Sequence, residues 1–296
     1  MSENRSAAFS PSAEKKQNFA KEVYRRLKKN KSAMIALYII VFFLLLAIFA
    51  GVIAPYEEVI KLNVPNRLQN PSGEHWFGTD DYGRDVFARV VYGTRISLFI
   101  GIIVSACSLL AGGAIGATAA YYGDLTDNVI MRFMDMLTSL PSILLSMTVV
   151  AALGASMTNL LIALTISNIP VFTRLVRSTV LTVVDMEYVE AARACGTKDV
   201  RIIRKHIIPN GMGPIIVQAT RSISQTVLAA AGLSYIGLGV QSPTPEWGSM
   251  LTSAREFMRT NPYLMIFPGI ALVLTALSFE LLGDGLRDAL DPRLKD

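Results

Sequence analysis

Charge is what this chain has least of. Only 17% of its 296 residues are Asp, Glu, Lys or Arg, where a soluble domain carries about 25%. Histidine and cysteine are scarcer still, with His75, His206, Cys107 and Cys195 the full set. The two cysteines lie far apart, so no disulfide framework follows. Neither histidine has a second ligand near it in the sequence, so a metal site has no support. No glycine-rich loop runs into Lys-Ser or Lys-Thr, which excludes a phosphate-cradling ATP site. A Ser/His/Asp set in a usable context is also missing, as are paired carboxylates at one depth, so no catalytic constellation stands out.

What the chain has instead is long apolar runs: 52% of it is hydrophobic and the mean hydropathy is +0.42. The net charge of +5 does not point to nucleic acid, because the basic residues flank apolar spans rather than lining one exposed face. Residues 1–18 are polar and read as disordered. From Phe19 to Lys31 the segment turns basic, with Phe19, Val23 and Leu27 recurring every four residues among Lys21, Arg25, Arg26, Lys28, Lys29 and Lys31. That pattern predicts an interfacial helix against anionic lipid, within a cytoplasmic tail of residues 1–32. Ala33–Ala54 is too long for a signal-peptide core and Ile53-Ala54-Pro55 is a poor cleavage site. It is the first expected transmembrane helix, about 33 Å long against a ~30 Å hydrocarbon core.

Residues 55–95 read as an extracytoplasmic excursion, and 96–284 as a transmembrane core. Within the core the second span is Ile96–Tyr121, where Gly112 and Gly116 form a small-xxx-small pair for close helix packing. The third begins amphipathically at Val129, with Arg132 and Asp135 spaced for an ion pair, and runs through Pro141 to Leu153. The fourth, Asn159–Thr173, contains Asn168, which is expected to bond a neighbouring helix or to touch substrate. The fifth, Gly213–Leu238, is unusually polar, so it must face protein or a hydrated path. Its Gln218, Ser222 and Gln225 fall at i, i+4 and i+7, on one face. They are candidate pathway residues, with interhelical hydrogen bonding the alternative. The sixth span is Tyr263–Leu282, followed by a cytoplasmic tail of residues 285–296. Six spans with both termini inside place most basic residues in the cytoplasm, including the Phe19–Lys31 cluster, Arg174, Arg177, Arg193–Lys205, Arg287, Arg293 and Lys295.

A charged island, about residues 177–212, interrupts the apolar spans. It reads as two short helices around a turn. Asp185 is a possible cap for the first, and Tyr188, Ala191, Ala192 and Cys195 share one shallow face. Gly196 suits the left-handed residue that ends a helix. Thr197 is a plausible cap for the second helix, Val200, Ile203 and Ile207 its apolar stripe, and Pro209 its stop.

The Glu190-Ala191-Ala192 run, then Gly196, then Ile207-Ile208-Pro209 resembles the EAA loop of the inner-membrane permeases of ABC importers. His206 departs from the Ile common there, and His206-Ile207-Ile208-Pro209-Asn210 is similar to the dipeptide/oligopeptide permease branch. Three other segments resemble that branch: Phe77–Asp85, Ser242–Gly248 and Gly283–Pro292. The likeness runs from about residue 20 to the C-terminus. It implies the all-α, six-helix ABC importer type I permease fold in a bacterial or archaeal cytoplasmic membrane. It also implies a coupling loop that docks on an ATPase, with Tyr188, Glu190, Ala191, Ala192, Gly196, Arg201 and Pro209 as its residues. The implied partners are a homologous second permease, two cytoplasmic ATPase subunits holding ATP and Mg, and an extracytoplasmic solute-binding protein. This chain binds no cofactor of its own in that reading. The implied cargo is a di- or oligopeptide, with glutathione, a nickel chelate or another small solute as alternatives. The rival is a secondary transporter, which needs charges buried near mid-membrane; only Arg221 and Glu280 come close.

Overall fold

The structure, a computed structural model, describes residues 19–290. The expected disordered tail of residues 1–18 and the basic residues Arg293 and Lys295 lie outside the described residues. All the described elements are helical apart from one isolated β-bridge, Thr79 to Asp85. They are α1 (Phe19–Leu27), α2 (Lys31–Ile53), α3 (Tyr56–Ile60), α4 (Val86–Tyr122), α5 (Asp124–Thr138), α6 (Ser142–Leu153), α7 (Met157–Leu181), α8 (Glu187–Ala194), α9 (Asp199–Ile202), α10 (Met212–Tyr235), α11 (Trp247–Ala254) and α12 (Tyr263–Leu290), with short 3₁₀ and π turns between some of them.

Caps fix several helix starts. Asn30 accepts from Ala33 N at 3.1 Å and starts α2. Asp85 accepts from Ala88 N at 2.8 Å and starts α4. The excursion was expected to last to Arg95, so α4 begins ten residues early. Arg89 is tolerated inside it because its guanidinium meets Val59 O at 3.4 Å, Pro243 O at 3.3 Å and Asp80 Oδ2 at 3.5 Å. The fourth span also runs longer than expected, as α7 continues to Leu181, and α12 continues to Leu290.

Among the described residues four helices, α2, α4, α7 and α12, are long and apolar enough to cross a membrane. The expected third span is two helices, α5 and α6, bent by 81°. Pro141 explains the break, since it lacks the N–H that would continue α5 and holds Leu140 out of the α region. Counted together they make a fifth candidate. The 24-residue α10 is not among these candidates; its many amides and hydroxyls lower its hydropathy.

α4 is the central strut. Gly112 and Gly116 let it approach α7 backbone to backbone, as their spacing predicts. A Cβ at Gly112 would lie 2.7 Å from Ile169 O, and one at Gly116 2.3 Å from Thr173 O. α10 packs between α4 and α12, where Ser105 Oγ donates to Ala219 O at 3.0 Å and Ser224 Oγ to Ala276 O at 2.8 Å. α2 and α11 complete the largest core around Phe43, Val90, Leu98, Trp247, Leu264 and Phe279. The outer face of α2, with Ile35, Tyr38, Phe42, Ile48 and Val52, is bare and apolar, which suits a helix facing acyl chains.

Two expected contacts differ. Asp135 pairs with Arg174 of α7 at 2.9 Å rather than with Arg132. Asn168 Nδ2 donates to Leu164 O of its own helix at 3.0 Å, so it does not bridge to a neighbour.

Candidate functional site

The island folds into a small lobe packed on the ends of α4, α7 and α10. α8 carries Glu187 and Glu190 in its first turn and Arg193 in its last, the charge order that complements a helix dipole. Asp185 does not cap it; the N-cap is Met186, with no side-chain bond. Val189 is fully buried and anchors α8 on Val176, Val180, Val183, Val184, Ile202, Ile207 and Ile215. With Val189 turned inward, Tyr188, Glu190, Ala191 and Cys195 face outward and Ala192 is half-buried. Ala192 packs against the inner core, so of the expected face Tyr188, Ala191 and Cys195 are the exposed members.

α8 ends in a Schellman motif. Thr197 N donates to Ala192 O at 3.1 Å and Gly196 N to Arg193 O at 2.9 Å. Gly196 has φ +72°, a conformation that costs other residues strain. The chain then departs from the expected second helix. Lys198, not Thr197, is the N-cap of a four-residue α9, and a π turn follows over Ile203–Ile207. A π turn carries its hydrogen bonds from i to i+5. That widening brings Ile202 and Ile207 onto the inner side and leaves Val200 66% exposed. Arg201 and Pro209 are exposed, and Pro209 lies in the 3₁₀ turn that leads into α10. Asn210 Nδ2 donates to Tyr188 Oη at 3.2 Å, closing the lobe on itself. His206 contributes its carbonyl, which accepts from Asn210 Nδ2 at 2.6 Å.

A polar cluster that the sequence did not disclose ties this lobe to α4. Tyr121 Oη donates to Asp199 Oδ1 at 2.7 Å and Tyr122 Oη to Asp199 Oδ2 at 3.2 Å. The Arg193 guanidinium sits 4.8 Å above the Tyr121 ring centroid, and its Nε reaches Tyr121 Oη at 3.4 Å.

On α10 the three pathway candidates do not share one surface. Gln218 is half-buried and Gln225 exposed, but Ser222 is 2% exposed and its Oγ has no protein partner. Arg221, at i+3 from Gln218 and i−4 from Gln225, lies on their side of α10 instead and is half-buried against α12. Its Nε and Nη2 both reach Glu280 Oε1 of α12 at 2.7 Å, with Asp284 Oδ1 at 3.6 Å. Gly283 makes room for it, since a Cβ there would lie 2.5 Å from Arg221 Cγ. On another side of α10 lies an apolar groove of about 810 Å³ between α4, α10 and the lobe, lined by Leu109, Gly113, Ile203, Ile215 and Ile223 among others. The hydroxyls on its walls bond main-chain carbonyls, Ser105 to Ala219, Thr118 to Ala114 and Thr220 to Ile216. They leave no donor seeking water.

At the opposite end, residues 55–85 fold into a fixed cap. Asp80 Oδ1 accepts from the backbone N of Tyr82 and Arg84 at 2.9 Å each, and Oδ2 from Arg84 Nε at 2.7 Å. Burial pushes the neighbouring Asp81 carboxyl above its ordinary range, and the charge of Asp80 adds to this; Arg84 and Arg89 oppose it. Fully buried Glu246 caps α11 through the backbone N of Gly248 and Ser249, at 2.8 Å each. Burial raises its carboxyl too, against the pull of those two N–H groups.

Comparison with known proteins places this architecture. Residues 112–296 match the family described as binding-protein-dependent transport system inner membrane component. Residues 18–71 match the N-terminal TM domain of oligopeptide transport permease C. The dipeptide transport system permease protein DppC of Alkalihalophilus pseudofirmus is 48% identical over 93% of this chain and 90% of its own. The glutathione transport system permease protein GsiD of Escherichia coli strain 536 is 43% identical, with the same coverage. Among solved structures, an inward-facing form of the MetNI methionine ABC transporter is similar with a TM-score of 0.56 and 18% identity, over 69% of this chain and 97% of the other. That likeness concerns the fold, which is that of an ABC importer permease.

Proposed function

The chain belongs to the family of inner membrane components of binding-protein-dependent transport systems, and from that premise we propose that its cargo is a di- or oligopeptide, or glutathione. It is a multi-pass permease and not itself an ATPase. The observation that carries the choice of cargo is 48% and 43% identity, across nearly the whole chain, to permeases named for dipeptides and for glutathione.

In this reading α10 is a sixth span, shielded from lipid, and both termini are cytoplasmic. Two ATPase subunits with ATP and Mg sit beneath the membrane, and a solute-binding protein delivers cargo from outside. A homologous second permease covers the groove between α4 and α10. The satisfied hydroxyls of that groove favour an apolar protein surface over water. The lobe of residues 182–211 docks on an ATPase subunit through Tyr188, Glu190, Ala191 and Ala192, with Gly196 holding its turn and Arg201 and Pro209 at its margin. ATP-driven closure of the ATPases then biases two rigid-body states, inward-open and outward-open. The pathway runs along Gln218, Arg221 and Gln225, with Ser222 behind them.

A bulky residue on the shallow face tests docking. Ala192→Trp should abolish transport and uncouple ATP hydrolysis, with the chain still inserted in the membrane. Wild-type transport in that variant rejects the docking surface. Cysteines at Gln218 and Gln225 should react with a soluble thiol reagent to different extents in ATP-free and ATP-trapped complexes; equal protection in both rejects the pathway.

A further inference from the structure

The lobe of residues 182–211 is attached to the membrane helices covalently at two places only, the turn after α7 and the 3₁₀ turn before α10. A rigid body held at two neighbouring hinges can rotate about the line that joins them. Force applied to its outer face would then tip the lobe instead of moving the helices. A third contact off that line removes the rotation. The structure supplies one in addition to the apolar core that Val189 shares with Val176, Val180 and Ile215. Asp199 opens α9 and uses one oxygen for each of two tyrosine hydroxyls at the last turn of α4. Arg193, from the end of α8, lies over one of those rings. Both helices of the lobe therefore meet α4 at a single cluster. Beneath it, Ala117 and Ala120 of α4 pack into the same apolar core as Val189, Ile202 and Ile207.

α4 is the helix best placed to carry movement onward. Its 37 residues make a rod of about 55 Å. Near its far end the Trp247 indole donates to Val90 O at 3.1 Å, and buried Glu246 faces Ser97 Oγ at 3.5 Å. Along its middle, Gly112 and Gly116 lock it against α7.

We propose that Tyr121, Tyr122, Arg193 and Asp199 form a joint that fixes the docking lobe to α4, so that ATPase movement enters the membrane through α4 as well as through the chain ends in α7 and α10. The four are positioning residues. Each bond is solvent-accessible and weak alone; the joint sets orientation rather than stability. The proposal rests on the reading of this lobe as the ATPase dock.

The test uses the complete transporter in proteoliposomes, with its second permease, ATPase subunits and binding protein, and reads cargo moved per ATP hydrolysed. Asp199→Asn, and the double variant Tyr121→Phe/Tyr122→Phe, should keep ATP hydrolysis but lower that ratio about three- to tenfold, the scale of one coupling contact. Asp199→Glu, which retains the carboxylate, should recover part of it. In a background lacking Cys107 and Cys195, cysteines at Tyr121 and Asp199 joined by a short bifunctional thiol linker should leave transport intact, because the joint stays closed through the cycle. An unchanged ratio in the Asn and Phe variants overturns the proposal. So does loss of transport on linking, which would mean that the lobe must leave α4. A variant that fails to assemble leaves the linker arm to decide. No binding-protein-stimulated ATP hydrolysis in the wild type would instead sink the docking reading itself.

Discussion

Among the described glycines, the tightest approach of one helix backbone to another gives the sharpest prediction. Gly112, Gly113 and Gly116 lie within one and a half turns of α4, yet their surroundings differ. A Cβ at Gly116 would lie 2.3 Å from Thr173 O and 3.0 Å from Thr173 C, both backbone atoms of α7 that no side-chain rotation can move. At Gly113 the nearest atoms are side-chain carbons, Val176 Cγ2 at 3.8 Å and Leu109 Cδ1 at 3.9 Å, ordinary contact distances. Both substitutions to Ala gain about 1 kcal/mol of helix propensity. Only Gly116→Ala must push the helices apart, by about 1 Å to restore contact distance, and a gap of that size forfeits a quarter to a half of each neighbouring dispersion contact. Overpacking of this kind costs about 1–3 kcal/mol. Gly113→Ala should therefore match or slightly exceed the wild type in thermal stability, measured on the purified complex in mild detergent. Gly116→Ala should fall below Gly113→Ala by about 1–3 kcal/mol, a few degrees in Tm. Gly116→Leu should fail to assemble. Equal melting of the two alanine variants would mean that α4 and α7 do not pack through Gly116.

Three further outcomes follow from the geometry. Glu280→Ala leaves Arg221 with Asp284 alone and should cost about 1–3 kcal/mol; adding Arg221→Leu should restore most of the melting temperature, since an apolar pair can replace an ionic one. Glu246→Ala removes the acceptors of two N–H groups at the start of α11 and should cost about 2–4 kcal/mol. Because burial raises the Glu246 carboxyl, the folded chain holds its proton more readily than the unfolded one. This site's contribution is then greatest at low pH and declines as pH rises through the folded value, above the ordinary 4.5. Glu246→Gln should flatten that slope in a melting series between pH 4.5 and 7. For topology, single cysteines at Asn70 and Thr244 should react with an impermeant thiol reagent from outside and one at Lys198 should not; outside labelling at Lys198 rejects the orientation.

Much of this was legible because the bilayer selects composition directly. The apolar runs of α2 and α12 announce themselves, and the Gly112–Gly116 spacing is local and needs no knowledge of its partner. The Gly196 turn is likewise local: a left-handed residue after a short helix is a property of six consecutive residues. What the sequence hid depends on distant partners. Arg89 looked like a loop residue because its compensating carbonyls are 30 and 154 residues away. Val200 looked buried because the π turn that re-registers Ile202 and Ile207 has no signature in the side-chain pattern. Ser222 and Arg221 sit on adjacent sides of α10, and the packing of α4 and α12, not spacing along α10, decides which is turned inward. The tyrosine–aspartate joint joins residues almost 80 positions apart, with nothing in either segment to point to the other.

Arg89 has a further consequence for how the chain is made. Its guanidinium fastens the segment around Val59 to the segment around Pro243, two stretches separated by most of the molecule. Ribosomes reach Pro243 154 residues after Arg89, roughly 8–30 s later at 5–20 residues per second. For that interval the cap of residues 55–85 has emerged without this clasp, and Arg89 is held only by Asp80 and Val59; the bonds from Asn261 to Leu68 O and from Tyr263 to Thr79 O come later still. A nascent chain halted before α11 would present an unfastened cap to proteases, whereas the finished chain would not.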